Sequence, residues 1–485
     1  MDNVSTLALV IATIIVVIDL AIRALAIILI PRNRKPQTAT AWLLAIFFLP
    51  YIGIILFWML GSRWLPKSRR DKQDEINTYI LETTEGFDQV SHEHPWLDPI
   101  VELNRNLGAM PLVGGNSATL TNSTEQSLAE MTKAVNAATK WVHAEFYIFA
   151  YDPTTKPFFD ALEAAVERGV TVRVLLDHVA GLRTTGYRKT LRKLTAIGAA
   201  WSLMLAIQPL RGKWQRPDLR NHRKILVVDG VVAFTGSQNI IDASYNKRGN
   251  IRRGLRWKDV MVRFEGPIVA GINALFVTDW YTETDELLVR EGTTIPLETQ
   301  GSGLDAQVVP SGPGFEGENN LRLFNSLLYA AQERIIITSP YFVPDDSMLY
   351  AITTAAQSGI DVQLFVSEIG DQFFTYHAQR SYYEALLEAG VTIWLYTSPT
   401  VLHSKFFTID DEVGVIGSSN MDMRSFSLNS EISVMVHGRS FVADLRKLEA
   451  EYRASSKQLT LDEWMKRPLA GRVLDNIARL TAAVQ

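Results

Sequence analysis

Two long apolar runs open the chain, and an alternation of strands and helices written twice fills most of the rest. Leu7 to Ile30 is almost wholly apolar and long enough to cross a hydrocarbon core of about 30 Å. Its charged exceptions, Asp19 and Arg23, lie four residues apart on one helix face, where they can pair. Pro31 and Arg32-Asn33-Arg34-Lys35 end this run. A second run extends from Ala39 to Leu60, interrupted by Thr40, Pro50 and Gly53. Two such runs in succession predict two transmembrane helices within residues 1–65, rather than a buried hairpin of a soluble core. A secretory signal would be shorter, begin with a basic segment and lack the second run. Arg63, Lys67, Arg69, Arg70 and Lys72 follow the second run and outweigh Arg32, Arg34 and Lys35 between the two. The positive-inside rule then predicts a multi-pass cell-membrane protein with its large domain in the cytoplasm.

Residues 66–110 are polar and mixed, and read as a linker with some helix. After them the chain repeats itself. In the first copy, 111–290, Trp141 to Phe149 reads as a strand, Pro157 to Glu167 as a helix, Val170 to Asp177 as a strand, and Tyr187 to Ala196 as a helix ending at Gly198. In the second, 300–455, the same order runs through Arg334 to Phe342, Asp346 to Gln357, Ile360 to Ser367, a helix Arg380 to Glu388 ending at Gly390, and a strand Val391 to Tyr396. Short apolar strands alternating with helices predict an α/β fold of two repeated halves with a largely buried sheet. Thr293 to Gly303, with Pro296 and two glycines, is the expected connection. A C-terminal helical segment, 456–485, completes the chain. There Arg472 to Leu480 looks amphipathic and is expected to pack on the core as a surface helix rather than lie in a membrane interface. Leu194 to Leu210, followed by Arg211, Lys213 and Trp214, fits a segment dipping into lipid and a buried strand plus loop equally well.

Each copy carries one constellation. The first is His222-Arg-Lys224, then Asp229, then Gly236-Ser237-Gln-Asn239. The second is His403-Ser-Lys405, then Asp410, then Gly417-Ser418-Ser-Asn420. The pattern H-x-K-x4-D-x6-G-S-x-N recurs at identical spacing, which chance does not explain. Strand alternation puts His222 beside Lys224, and His403 beside Lys405. Brought together, two imidazoles, two ammonium groups and two amides suit a phosphodiester. The lysines neutralise its oxygens and the charge that develops on them, one imidazole attacks phosphorus and the other moves protons. The other histidines (His92, His94, His143, His178, His377 and His437) are read as non-catalytic. His92-Glu-His94 lacks the further ligands a metal site needs. No G-x-S-x-G elbow supports a serine hydrolase.

Composition narrows the field. The chain has no cysteine, which excludes disulfides and thiolate chemistry, and its net charge of −4 gives no support to a nucleic-acid partner.

At its paired H-x-K-x4-D motifs the chain resembles the phospholipase D superfamily, over about residues 110–450. The resemblance implies two α/β halves about a pseudo-twofold axis, one shared site, no metal, no cofactor, and a two-step reaction through a covalent phosphohistidine. It puts the nucleophile on His222 and the general acid/base on His403. It assigns Lys224, Lys405, Asn239 and Asn420, with Ser237 and Ser418 beside them, to the phosphate, and Asp259 and Glu431 to orienting the histidines. Asp229 and Asp410 complete the catalytic motifs while supporting the local turn. From end to end the chain is similar to bacterial cardiolipin synthases, with echoes at Ala41-Trp42, Pro50-Tyr-Ile-Gly53, Ser311-Gly-Pro313, Pro340-Tyr-Phe-Val-Pro344 and Asn420-Met-Asp-Met-Arg-Ser425. That family joins two phosphatidylglycerols into cardiolipin and glycerol. The implied partners are phospholipid substrates and the bilayer. The competing readings are a phospholipase D or phosphatidyltransferase with another acceptor, a nucleic-acid phosphodiesterase, and an inactive scaffold. The oligomeric state is left open.

Overall fold

The computed structural model describes residues 2–32, 34–62, 65–85, 95–208, 215–288, 303–315 and 317–480. His92, His94, Arg211, Lys213, Trp214 and most of the expected connection at 293–303 lie outside these. Two compact units form, Met1–Trp64 and Leu65–Gln485.

In the first unit, helix α1 (Asp2–Leu29) contains one stretch, Thr6–Leu29, long and apolar enough to cross a membrane. The second apolar run is not a second such helix. It forms two short helices, α2 (Pro36–Phe48) and α3 (Pro50–Leu60). Pro50 is the cause: it has no N–H to donate, and its ring drives Leu49 out of the helical region, to φ −134°, ψ 68°. At about 1.5 Å per residue neither piece approaches 30 Å. The chain folds back at the break, so that Trp42 and Phe57 meet edge to face at 5.4 Å. Gly53 lies where a Cβ would come within 2.8 Å of the Ile46 Cα, and only glycine allows that approach.

The second unit is built on one continuous sheet whose halves mirror each other. At its centre Leu112–Thr121 and Leu304–Ser311 pair antiparallel. Outward from Leu112–Thr121 come Met261–Glu265, Val232–Gly236, Lys224–Val228, Trp141–Phe146, Thr171–Asp177 and Ala200–Met204. Outward from Leu304–Ser311 come Asn429–His437, Val413–Gly417, Phe406–Ile409, Arg334–Thr338, Asp361–Ser367 and Thr392–Tyr396, with Ser456–Leu459 at the edge. The two α/β halves thus share a sheet. Helices cover it, and Ile268–Thr284 is apolar almost all round because it is buried almost all round. Where one helix was expected at Arg380 to Glu388 there are two, Phe373–Arg380 and Tyr383–Glu388. The segment after Leu194 forms an edge strand, Ala200–Met204.

The region read as a linker holds helices Lys67–Thr83 and Asp98–Gly108. They dock through Arg69, bidentate on Glu283 at 2.8 Å, and through the Asn104 amide, 2.9 Å from Gln307. The C-terminal helix Leu469–Arg479 packs on helix Phe373–Arg380 by an unusual face. It turns a polar residue inward, with Asp475 1% exposed, and leaves Leu469, Val473 and Ile477 in the open.

Asp229 and Asp410 take the same place in each half. Asp229 accepts N–H bonds from Thr139, Lys140 and Trp141 at 2.7 to 2.8 Å, and Asp410 from Gln332, Glu333 and Arg334 at 2.8 to 3.0 Å. Each tethers the start of a neighbouring strand, at the end of its own strand remote from the motif histidine. Both carboxylates are thus occupied by backbone N–H groups, a structural place. Asp229→Ala and Asp410→Ala are each expected to lower stability by about 2 kcal/mol, seen as a lower Tm. Activity per folded molecule should stay within a few-fold of the parent; a loss of several orders of magnitude in fully folded protein would contradict this placement.

Candidate active site

Each motif histidine is delivered by a short strand that pairs with the other half. Arg220-Asn221 pair in parallel with Asn429-Ser430, and the His222 N–H donates to the Ser430 carbonyl at 2.9 Å. Thr400–Leu402 pair in parallel with Arg256–Lys258, and the His403 N–H donates to the Lys258 carbonyl at 2.9 Å. In both cases the next residue of the partner strand is an acid. His222 Nδ1 lies 2.9 and 3.0 Å from the two Glu431 oxygens, and His403 Nδ1 lies 2.6 Å from Asp259 Oδ1. The acids cross over: Glu431 of the second half holds the histidine of the first, and Asp259 of the first holds the histidine of the second. In each ring Nδ1 is engaged by the carboxylate, and Nε2 is the other nitrogen.

The acids are held in turn. The Ser237 hydroxyl donates to Asp259 at 2.6 Å, and that of Ser418 to Glu431 at 2.5 Å. The N–H groups of Val260 and Ile432 donate back to these hydroxyls at 2.9 and 3.0 Å. Both serines are fully buried. Expected at the phosphate, both hydroxyls are placed against the carboxylates.

Lys224 Nζ donates to the His222 carbonyl at 2.5 Å and Lys405 Nζ to the His403 carbonyl at 2.7 Å. Burial lowers Lys224 to about 7 and Lys405 to about 8, against the pull of Glu431 and Asp259. Burial and both lysines hold His222 well below the usual imidazole range. His403 is lowered by burial and Lys405, with Asp259 opposing. The acids differ. Burial pushes Glu431 up to about 7, with Lys224 and Ser418 opposing, whereas at Asp259 burial is outweighed by His403 and Lys405, which hold it at about 2. Two lysines beside two imidazoles make a poor site for a cation and a good one for an anion. Asn239 donates to the Tyr245 hydroxyl at 3.0 Å and accepts from the Ile148 N–H at 3.1 Å. Asn420 keeps a buried Oδ1 with no hydrogen-bond partner.

Several neighbours were not singled out from the sequence. The Tyr147 ring meets His222 edge-on at 4.9 Å, and Tyr245 lies 6.2 Å from His403. Behind His222 is a buried ionic network. Arg220 pairs with Asp177 at 3.1 Å, Arg223 with Asp279, and the Asn221 amide donates to Glu145 at 2.7 Å. The flanks of His403 lack this, and Ser404 instead meets the Tyr452 hydroxyl at 2.7 Å. Glu145 inside an apolar strand, and the polar run Arg220 to Lys224, were the available signals, since a buried charge needs a partner.

Two α/β halves that share a sheet and each contribute an H-x-K pair define a phospholipase D-type phosphoryl-transfer fold. A family model described as "Cardiolipin synthase, PLD-like domain" matches residues 131–265 and 324–451, and one described as "Phospholipase_D-nuclease N-terminal" matches 8–62. Cardiolipin synthase A of Proteus mirabilis is 34% identical over 455 residues, 92% of each chain. Cardiolipin synthase A of Yersinia pseudotuberculosis is 32% identical over 469 residues, 94% of this chain and 95% of that one. The crystal structure of phosphatidylserine synthase from Haemophilus influenzae shares the fold, with a TM-score of 0.60 at 14% identity, over 80% of this chain and all of that one. The chain belongs to the cardiolipin synthase family of the phospholipase D superfamily.

Two outcomes follow from the site. Ser237→Ala and Ser418→Ala are expected to cost about 1–2 kcal/mol of positioning, read as a roughly tenfold lower kcat at unchanged KM; a raised KM alone would restore them to the phosphate site. Because a lysine is cationic below its pKa and neutral above it, inhibition by inorganic phosphate should weaken as pH rises through about 7 to 8. Inhibition constants measured from pH 6 to 9 check this, and a flat or opposite trend would count against lysine recognition.

Proposed function

We propose that this protein transfers a phosphatidyl group between two phosphatidylglycerol molecules, giving cardiolipin and glycerol. The observation that carries the reading is the crossed pairing of two imidazoles with two carboxylates beside two buried lysines. His222 Nε2 attacks phosphorus while protonated His403 gives its proton to the departing glycerol oxygen. A phosphatidyl–His222 adduct remains. His403, now neutral, takes the proton from the free glycerol hydroxyl of a second lipid. That oxygen attacks phosphorus and the bond to His222 breaks. The difference between the acids supports this order. An ionised Asp259 stabilises a proton on His403, while Glu431, raised by burial, favours one on His222 less strongly and leaves a neutral nucleophile. Lys224, Lys405, Asn239 and Asn420 bind the phosphate. Burial of the site slows water, which would otherwise take the adduct to phosphatidic acid.

The bilayer is the second partner we propose for the catalytic unit. Helix Leu469–Arg479 is seated by Asp475 on His377 at 2.7 Å and on Arg467 at 2.6 Å, and its apolar face points away from the protein. The helix it packs against, Phe373–Arg380, begins with Phe373 and Phe374, each 59% exposed. Arg472 and Lys466 are placed to meet anionic headgroups. A shallow recess lined by Tyr341, Asp371, Gln372, Tyr376 and Val401 lies between the first turn of that helix and the strand leading to His403. The domain boundaries 111–290 and 300–455, and a cytoplasmic catalytic unit, are part of the same reading.

Purified protein given phosphatidylglycerol alone, with products followed by mass spectrometry, tests the reaction. Cardiolipin and glycerol are expected, falling by about four orders of magnitude in His222→Ala and His403→Ala. Phosphatidic acid as the only product would make water the acceptor. For the docking face, Phe373→Ala with Phe374→Ala, and separately Ile477→Asp, should lower kcat/KM about tenfold on bilayer phosphatidylglycerol and leave a water-soluble short-chain analogue unaffected. Equal loss on both substrates, or no loss on either, would reject the face.

A further inference from the structure

We propose that the second apolar run is a re-entrant hairpin, which enters and leaves the membrane on one side, so that α1 alone crosses. Arg34, in the turn between α1 and α2, hydrogen-bonds the ends of two helices at once. Its Nη1 donates to the Ile30 carbonyl at 2.9 Å and the Leu29 carbonyl at 3.4 Å, at the end of α1. Its Nη2 and Nε donate to the Gly61 carbonyl at 3.2 and 3.4 Å, just past the end of α3. One guanidinium also stacks on Phe57, 4.8 Å from the ring centre. The end of α1, the start of α2 and the end of α3 therefore lie at one level. Two spans in series would put the ends of α1 and α3 on opposite faces, a full hydrocarbon thickness of about 30 Å apart, which no arginine bridges.

The other end of the hairpin agrees. Trp42 against Phe57, and Gly53 against Ile46, pack α2 and α3 side by side. Phe47, near the turn, lies 5.6 Å from the Arg23 guanidinium, so the tip stands beside α1 well short of the start of its apolar stretch at Thr6. That tip is apolar and bare: Phe48 is 80% exposed, and Leu49, Tyr51 and Ile52 are exposed with it. Water is a poor medium for such a tip and lipid chains are a good one. The open end carries Arg32, Arg34 and Lys35, and the chain beyond α3 carries Lys67, Arg69, Arg70 and Lys72. In a re-entrant arrangement all these cations stand on one face. The competition between two basic segments disappears, and the positive-inside rule puts both in the cytoplasm and Thr6 outside.

The chain has no cysteine, so single-cysteine variants report accessibility directly. Thr6→Cys, Lys35→Cys, Tyr51→Cys and Lys67→Cys would be made in the full chain, each checked for activity. Sealed right-side-out membrane vesicles would be treated with a membrane-impermeant maleimide, before and after permeabilisation. The expected result is that Thr6→Cys labels in sealed vesicles, Lys35→Cys and Lys67→Cys label only after permeabilisation, and Tyr51→Cys labels in neither state. Labelling of Lys35→Cys and Lys67→Cys from opposite sides would establish two spans and overturn the proposal. Ready labelling of Tyr51→Cys would put the tip in water and overturn it equally, and labelling of Lys35→Cys and Lys67→Cys together in sealed vesicles would overturn the assigned orientation.

Discussion

Everything in the catalytic unit turns on two imidazole–carboxylate bonds made between the repeats. Neither half holds its own histidine: Glu431 serves His222, and Asp259 serves His403. Each bond needs a short parallel pairing of strands from opposite halves, and each pairing needs the halves docked in one register. The antiparallel joint of Leu112–Thr121 with Leu304–Ser311 supplies that docking by running one sheet through both. A pair of separate domains on a loose connection would leave both acids buried without their partners, which is costly.

The same burial sets the chemistry. Two lysines and two histidines are held together away from water, and burial works against the charge of each. An arriving phosphodiester relieves that repulsion, so the site is arranged for an anion before one enters. The network behind His222 pairs Arg220 with Asp177 and Arg223 with Asp279. His403 is flanked by neutral groups instead. Two motifs identical in spacing thus sit in unlike surroundings.

The parts proposed to face the membrane invert the usual logic of burial. In α2 and α3 the large apolar residues point outward, and in helix Leu469–Arg479 the buried anchor is an aspartate. Such surfaces are stable where the surroundings are hydrocarbon, and they suit an enzyme whose substrates do not leave the bilayer.

The sequence by itself determined the doubled α/β order, the paired motifs and the residue types at the centre, because strand alternation and exact repetition are local properties that a linear text preserves. Helix Asp346–Gln357 and helix Tyr187–Ala196 appear where the pattern predicts them. Three matters were decided by tertiary structure alone. The crossing of Glu431 and Asp259 depends on which strands meet, and nothing in either motif names its partner. Ser237 and Ser418 lie in the motif but face the carboxylates, because the turn after each strand points their hydroxyls inward. Hydropathy measured the length of Ala39 to Leu60 but not its direction. Pro50 reverses the run, and the fold-back shows only where Gly53 meets Ile46 and Arg34 meets Gly61. Composition reports what a segment can bury; which face it buries, and against what, is settled by contacts distant in the chain.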